Sequence, residues 1–354
     1  MTIMKKTYPL VLIVILLLSC VGAVYAASQD ASSARTRTIV DSAGVSVQIP
    51  DDIQKVVILC QGGASQDVLI LGGADKIIAA PPQNYAPLLL KMFPTLKDVP
   101  NAGSFDNLNM ESILKLEPDI AINSVTATKG NPNLVQNNVP VIQLLTGMAQ
   151  MDTIISEFKM MGEVFKNPSK TDEIVSYWDY TIKLVNDRTS TLSDSEKKQV
   201  YYMLGGPLHT NGLNMWGHSF ITTAGGINVA DEIGNNRDIN AEQLSEWDPD
   251  VIIVSSNEGK YVSDDEIKNN PQLSELKAVK SGSIYHVPIG GFWWDRPSPE
   301  SPLGFLWLAK TLYPEKFADI DMKSEMKKFF TKFYEYDLSD DEIEQVLKAE
   351  DPAA

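Results

Sequence analysis

Histidine and cysteine are scarce in this chain: three and two among 354 residues. Two cysteines exclude a disulfide scaffold and any multi-cysteine zinc or iron–sulfur site. Three scattered histidines leave little from which to build a bare-metal site, and no H-E-x-x-H is present. Positive charge is also short, with 30 Lys+Arg against 46 Asp+Glu and a formal charge of -16. That balance argues against nucleic acid, whose phosphates need a Lys/Arg excess. Neither a G-x-S-x-G elbow nor a G-x-x-x-x-G-K-[ST] loop occurs, so no enzyme class is signalled. What is there is an ordinary globular composition, 44% hydrophobic and 21% charged, long enough for two domains.

The one long apolar run stands at the N-terminus. Lys5 and Lys6 precede Leu10–Leu18, which is too short for a comfortable membrane span. Residues 1–26 read as a secretory signal, cleaved after Val24-Tyr25-Ala26. A second reading takes Leu17-Leu18-Ser19-Cys20 as a lipobox, with Cys20 lipidated, and a third leaves the segment as an uncleaved anchor. Each puts the bulk of the protein outside the cytoplasmic membrane. Loss of residues 1–26 removes two lysines and leaves a charge of -18. Residues 27–36 form a polar, small-residue tether. Cys60, alone after the first cleavage, ends an apolar run and reads as a buried small hydrophobe.

The pattern beyond the tether alternates strand and helix. Thr38–Val47 suggests a hairpin turning at Gly44. Strands are expected at 56–59, 77–80, 120–122 and 139–142, with a helix from Asp67 stopped by Gly72-Gly73. Residues 37–150 thus form an α/β lobe. Across 151–190 apolar residues recur at three- and four-residue steps, a helical crossing broken near Pro168. The α/β pattern then restarts over 191–320, with strands at 200–204, 251–254 and 284–287. C-terminal helices and an acidic tail occupy 321–354, with Ser339 and Glu342 spaced as a capping box.

An internal repeat links the two lobes. Asn109-Met110-Glu111 leads through a helical turn to Pro118-Asp119-Ile120-Ala121-Ile122. Asn240-Ala241-Glu242 leads likewise to Pro249-Asp250-Val251-Ile252-Ile253, at a constant offset of 131. Two Rossmann-like α/β lobes bridged by a long helix leave a cleft between them, a favoured place for a ligand.

These runs carry a family resemblance. Arg37–Gly44, Gly103-Ser104-Phe105 into the first repeat, Ala224–Val229, and Ala278–Tyr285 into Trp294–Glu300 follow one another in order. Over about 37–317 the chain resembles the substrate-binding proteins of ABC importers that handle iron–siderophore, haem and cobalamin. The resemblance implies a monomeric binding protein without catalytic residues or a resident cofactor. Its partners would be an ABC permease dimer with its ATPase, and it would meet a membrane only through the permease or a lipid anchor. It further implies that Glu111 and Glu242, one per lobe, dock onto permease arginines. The bland alternative is that each carboxylate merely suits a helix N-terminus.

Loops after the carboxyl ends of the strands should face the ligand. They nominate Gln61, Gln66, Tyr85 and Phe105 from the first lobe. From the second they nominate His209, Trp216, His218, Trp293, Trp294 and Arg296. Three consecutive aromatics beside an arginine suit a flat or anionic chelate; alternatively one Trp is core and Arg296 pairs with Asp295 or Glu300. His209 and His218 are candidate axial ligands, and His286 reads as structural. Relatives that hold bare zinc or manganese use several histidines with a carboxylate, so a pre-chelated metal is expected. A ferric siderophore is favoured, followed by cobalamin or another corrinoid, haem, and a nickel chelate. A surface solute sensor without a transport role is the competing class.

Overall fold

The computed structural model describes residues 35–256 and 261–349. The leader, Cys20, most of the tether and the extreme C-terminus lie outside these residues. By internal contacts the chain divides into two units, Met1–Arg37 with Pro50–Asp52, and Thr38–Ile49 with Ile53–Ala354. In the first, Asp51 N–H donates to the Arg35 carbonyl. All that follows concerns the second.

The first lobe opens with strands β1 (Thr36–Val40) and β2 (Ser46–Pro50), turned at Gly44, whose φ of +76° suits glycine. Then come β3 (Val56–Ile58), α1 (Ala64–Ile70), β4 (Ile77–Ala79), α2 (Pro87–Met92), β5 (Gly103–Ser104), β6 (Asn107–Leu108), α3 (Met110–Leu116), β7 (Ile120–Ser124), α4 (Gly130–Gln136) and β8 (Val141–Leu144). Helices α5 (Met151–Val164) and α6 (Pro168–Thr189) make the crossing. The second lobe holds β9 (Gln199–Leu204), β10 (His209–Thr210), α7 (Trp216–Thr223), β11 (Ile227–Asn228), β12 (Arg237–Asp238), α8 (Ala241–Trp247), β13 (Val251–Ser255), α9 (Asp264–Asn269), α10 (Lys277–Ser281) and β14 (Ile284–His286). Three helices follow, α11 (Ser301–Leu312), α12 (Met322–Phe329) and α13 (Asp340–Lys348).

Each lobe is built on a four-stranded parallel sheet. The orders are β4-β3-β7-β8 and β11-β9-β13-β14, in each case second-first-third-fourth along the chain. Parallel strands covered on both faces need apolar residues at every position. In β3, Val56 and Ile58 face the large central core, whereas Val57 faces a smaller one with Ile113 and Leu134. β13 divides in the same way, Val251 and Ile253 against Ile252 and Val254. Cys60 is buried, and its Sγ approaches the Ile122 carbonyl at 4.0 Å.

The sequence repeat at offset 131 is a repeat of hydrogen bonds. Asn109 and Asn240 cap α3 and α8, each side chain accepting from the backbone N–H three residues on. Both helices end on a left-handed residue, Glu117 and Asp248. Asp119 accepts from the Lys55 amide at 2.8 Å, and Asp250 from the Gln199 amide at 3.0 Å. Each aspartate thereby ties the entry of its strand to the neighbouring strand's first residues.

The crossing breaks at Phe165–Asn167, and Pro168 opens α6 at N1, where its missing N–H costs nothing. Trp178 of α6 is fully buried, packed edge-on against Phe158, Trp216 and Phe305. A buried tryptophan removes roughly 150–250 Å² from water, worth roughly 4–6 kcal/mol. This one side chain therefore joins α5 and α6 to α7 and α11 of the second lobe.

Candidate functional site

A helix that feeds a parallel strand runs antiparallel to it, so its N-terminus lies toward the carboxyl edge of the sheet. Glu111 and Glu242 stand in the first turns of α3 and α8, both exposed, one at corresponding places in each lobe. Neither has an ion-pair partner among the described residues.

The carboxyl edges of the two sheets meet through loops. Tyr85, after β4, stacks on Trp293, after β14, with centroids 4.0 Å apart and planes at 14°. Phe292 meets the same Tyr85 edge-on. Gln66 on α1 donates to the Gly291 carbonyl at 2.8 Å. Gly63, with φ +88°, lies so close to this loop that a Cβ there would sit 2.6 Å from the Pro297 carbonyl oxygen. Gln66, Tyr85, Trp293 and the Arg296 loop are thus brought into one seam.

Arg296 is held from several sides. Its guanidinium donates to the Tyr202 hydroxyl, to Asp295 at 3.0 Å and to the Ser256 carbonyl at 3.3 Å. It also lies 5.9 Å from the Trp293 ring centroid. Tyr202 donates to Asp295 at 2.5 Å, and burial pushes its hydroxyl pKa up. The Trp293 indole N–H donates to the Ser256 hydroxyl. Arg296 keeps 24% of its side chain exposed while Asp295 keeps none, so the cation is the member of the pair that reaches solvent. A planar donor fixed in this way offers its remaining N–H groups to an anion without first searching for a rotamer.

The other nominated residues are dispersed. Trp294 is fully buried and donates to Glu300 at 3.2 Å. Trp216 lies in the core against Trp178 and Phe305. His209 sits on the β10–β12 ribbon with Nδ1 2.6 Å from Asp238. His218 is half-buried on α7, and desolvation lowers its pKa. His286 Nε2 lies 3.1 Å from the Val262 carbonyl. Gln61 is exposed on the loop after β3. Phe105 has φ +52°, and its N–H donates to the Leu59 carbonyl at 2.7 Å. Among the described residues no group of three or more His, Cys, Asp or Glu is placed to hold a metal ion. Sequence reasoning missed Tyr202 and Ser256, which sit within or just after apolar strands and carry no local signal.

Residues 57–289 match the family described as periplasmic binding protein, and the chain belongs to that family. It is 27% identical over 328 residues to the molybdate-binding protein MolA of Haemophilus influenzae, covering 86% of this chain and 92% of the relative. A solved structure of MolA, described as the periplasmic binding protein cognate to an ABC transporter, shares the fold. Its TM-score is 0.76 at 24% identity, over 86% of this chain and 99% of that one. The Fe(3+)-citrate-binding protein YfmC of Bacillus subtilis is 27% identical over 206 residues, 57% of this chain and 64% of the relative. The family and these relatives are binding proteins that serve transporters, not enzymes.

Proposed function

We propose that this periplasmic binding protein captures a compact, metal-bearing anion at the seam between its lobes and passes it to an ABC importer. The observation that carries this reading is the Tyr85–Trp293 stack beside Arg296. Rings 4.0 Å apart are already in van der Waals contact, so a flat macrocycle has no slot between them. A small anion needs only the edge of the seam and the guanidinium. The sequence alone favours a ferric siderophore; the closed aromatic pair shifts the weight to smaller anions, of which molybdate and ferric citrate are the ones named for relatives. Export follows from residues 1–26, by cleavage or by lipidation at Cys20. Glu111 and Glu242 dock onto permease arginines, one carboxylate per lobe.

Titration calorimetry of the mature protein with molybdate, ferric citrate, a ferric siderophore, cobalamin and haem tests the ligand class. Micromolar or tighter binding of molybdate or ferric citrate, with quenching of Trp fluorescence, is expected. Cobalamin or haem binding more tightly than either anion would overturn it. For docking, Glu111→Arg with Glu242→Arg should abolish uptake in cells while leaving ligand affinity unchanged; intact uptake sinks that assignment.

A further inference from the structure

The first lobe carries a polar cluster that no charged residue explains. Ser124, the last residue of β7, lies with its Oγ 2.8 Å from Thr126 Oγ1 and 3.1 Å from Thr146 Oγ1. The Thr126 amide also donates to Ser124 Oγ. Three hydroxyls carry three protons, and their two mutual contacts use two. The third proton has no acceptor within the cluster. Ser124 and Thr146 are buried whereas Thr126 is exposed, so the group opens outward through Thr126.

Thr146 is held there under strain. Its φ is +52°, a region that a β-branched residue rarely enters and that costs about 1–3 kcal/mol. Two features enforce the conformation. The preceding amide, Leu145 N–H, donates to the buried Glu157 carboxylate at 2.7 Å, which Ser42 also engages at 2.7 Å. Gly62 faces Thr146 so closely that a Cβ on it would lie 2.9 Å from Thr146 Cβ. The next residue, Gly63, abuts Pro297, the neighbour of Arg296. The hydroxyl cluster and the Arg296 loop therefore flank the same Gly62-Gly63 turn from opposite lobes.

We infer that Ser124, Thr126 and Thr146 form a hydroxyl cradle that donates to an oxygen of the bound anion from the lobe opposite Arg296. The inference rests on the compact-anion reading above and names the first-lobe donors for it. A ligand oxygen takes the unassigned proton, and the strained Thr146 keeps its hydroxyl turned into the cluster instead of toward its own backbone. Neutral hydroxyls suit an oxyanion because they bind without adding charge that would slow release.

Calorimetry with whichever of molybdate or ferric citrate the wild type binds provides the test. The proteins are the wild type, Thr126→Val, Thr126→Ser and Ser124→Ala, each with a ligand-free melting temperature as folding control. Thr126→Val should weaken binding about three- to tenfold, as expected for one lost hydrogen bond. Thr126→Ser, which keeps the hydroxyl, should bind within about twofold of wild type on the same scale. Thr126 is exposed, so its variants leave the core intact, and Ser124→Ala supplies a second loss of a donor. Unchanged affinity in both Thr126→Val and Ser124→Ala overturns the cradle and leaves the compact-anion reading standing. A wild type that binds neither anion overturns both.

Discussion

Glu300 is fully buried yet accepts three hydrogen bonds: from Tyr334 at 2.7 Å, Trp294 at 3.2 Å and the Gly291 amide at 3.1 Å. Burial outweighs these donors and pushes its pKa up to about 7. Burial, then the neighbouring Glu157, raises Asp67 as well, and burial raises Glu157. A carboxyl whose pKa is higher folded than unfolded binds protons more readily in the native state. The resulting stability is complete below about pH 4.5 and is lost as pH rises through about 7. For Glu300 that amounts to at most about 3 kcal/mol. Urea unfolding of wild type should therefore show falling stability from pH 5 to 8, and Glu300→Gln should flatten the slope. An unchanged slope would mean that Glu300 does not titrate in that window. Little of this environment is legible in the sequence. Glu300 appears there only as one more acid near Arg296, because the donors that surround it come from residues 291, 294 and 334. Arg296 is the reverse case: an arginine set among aromatics and bounded by Gly291 and Pro297 marks a loop too costly to be a simple turn, and its seam position follows from that.

Secondary-structure elements were more legible than side-chain environments, because caps and periodicity are local. The N-x-E and Pro-Asp spacing in each lobe specifies a helix start, a left-handed stop and a strand entry within fourteen residues. Nothing distant has to be known. Helix α3 has only seven residues, too few to hold without its cap and its packing. Asn109→Ala removes the acceptor for the Ser112 amide and should cost about 1 kcal/mol, and Asn240→Ala should cost about the same. Matched losses in chemical denaturation would show that the two lobes use one design; a loss in only one lobe would show that the repeat is merely a resemblance of sequence. What the spacing does not convey is where the aromatic loop goes. Trp293 and Trp294 are adjacent, yet one stacks across the seam on Tyr85 and the other is committed to the core. That choice depends on Ser256 and Glu300, which hold the two indole N–H groups from different elements.

At the scale of the second unit, the lobes are joined twice. The first connection is the α5–α6 crossing. The second is the return of the chain after β14, which passes through the Arg296 loop and α11 and ends in helices that pack on the first lobe. Phe329 and Phe333 meet Tyr177 of α6, Tyr334 meets Phe93 beside α2, and Lys91 of α2 pairs with Glu342 of α13 at 2.5 Å. Ser339 and Glu342 close a capping box at the same contact, so Glu342 serves both the helix start and the ion pair. Two connections restrict hinge motion, because rotation about one must strain the other. Binding should therefore proceed with small closure, and the scattering radius of gyration should change by less than about 1 Å on saturation. The same geometry makes the C-terminal helices part of the core. Truncation after Ile320 would expose Tyr177 and strip Tyr334 from Glu300, leaving the carboxyl with two of its three donors. Loss of three or four buried aromatics, at about 3–5 kcal/mol each, exceeds what a domain of this size holds in reserve. The truncated chain should show no cooperative thermal transition, whereas truncation after Lys348 should melt as wild type does. A truncated protein that still melts cooperatively and binds ligand would show that the crossing helices alone hold the lobes.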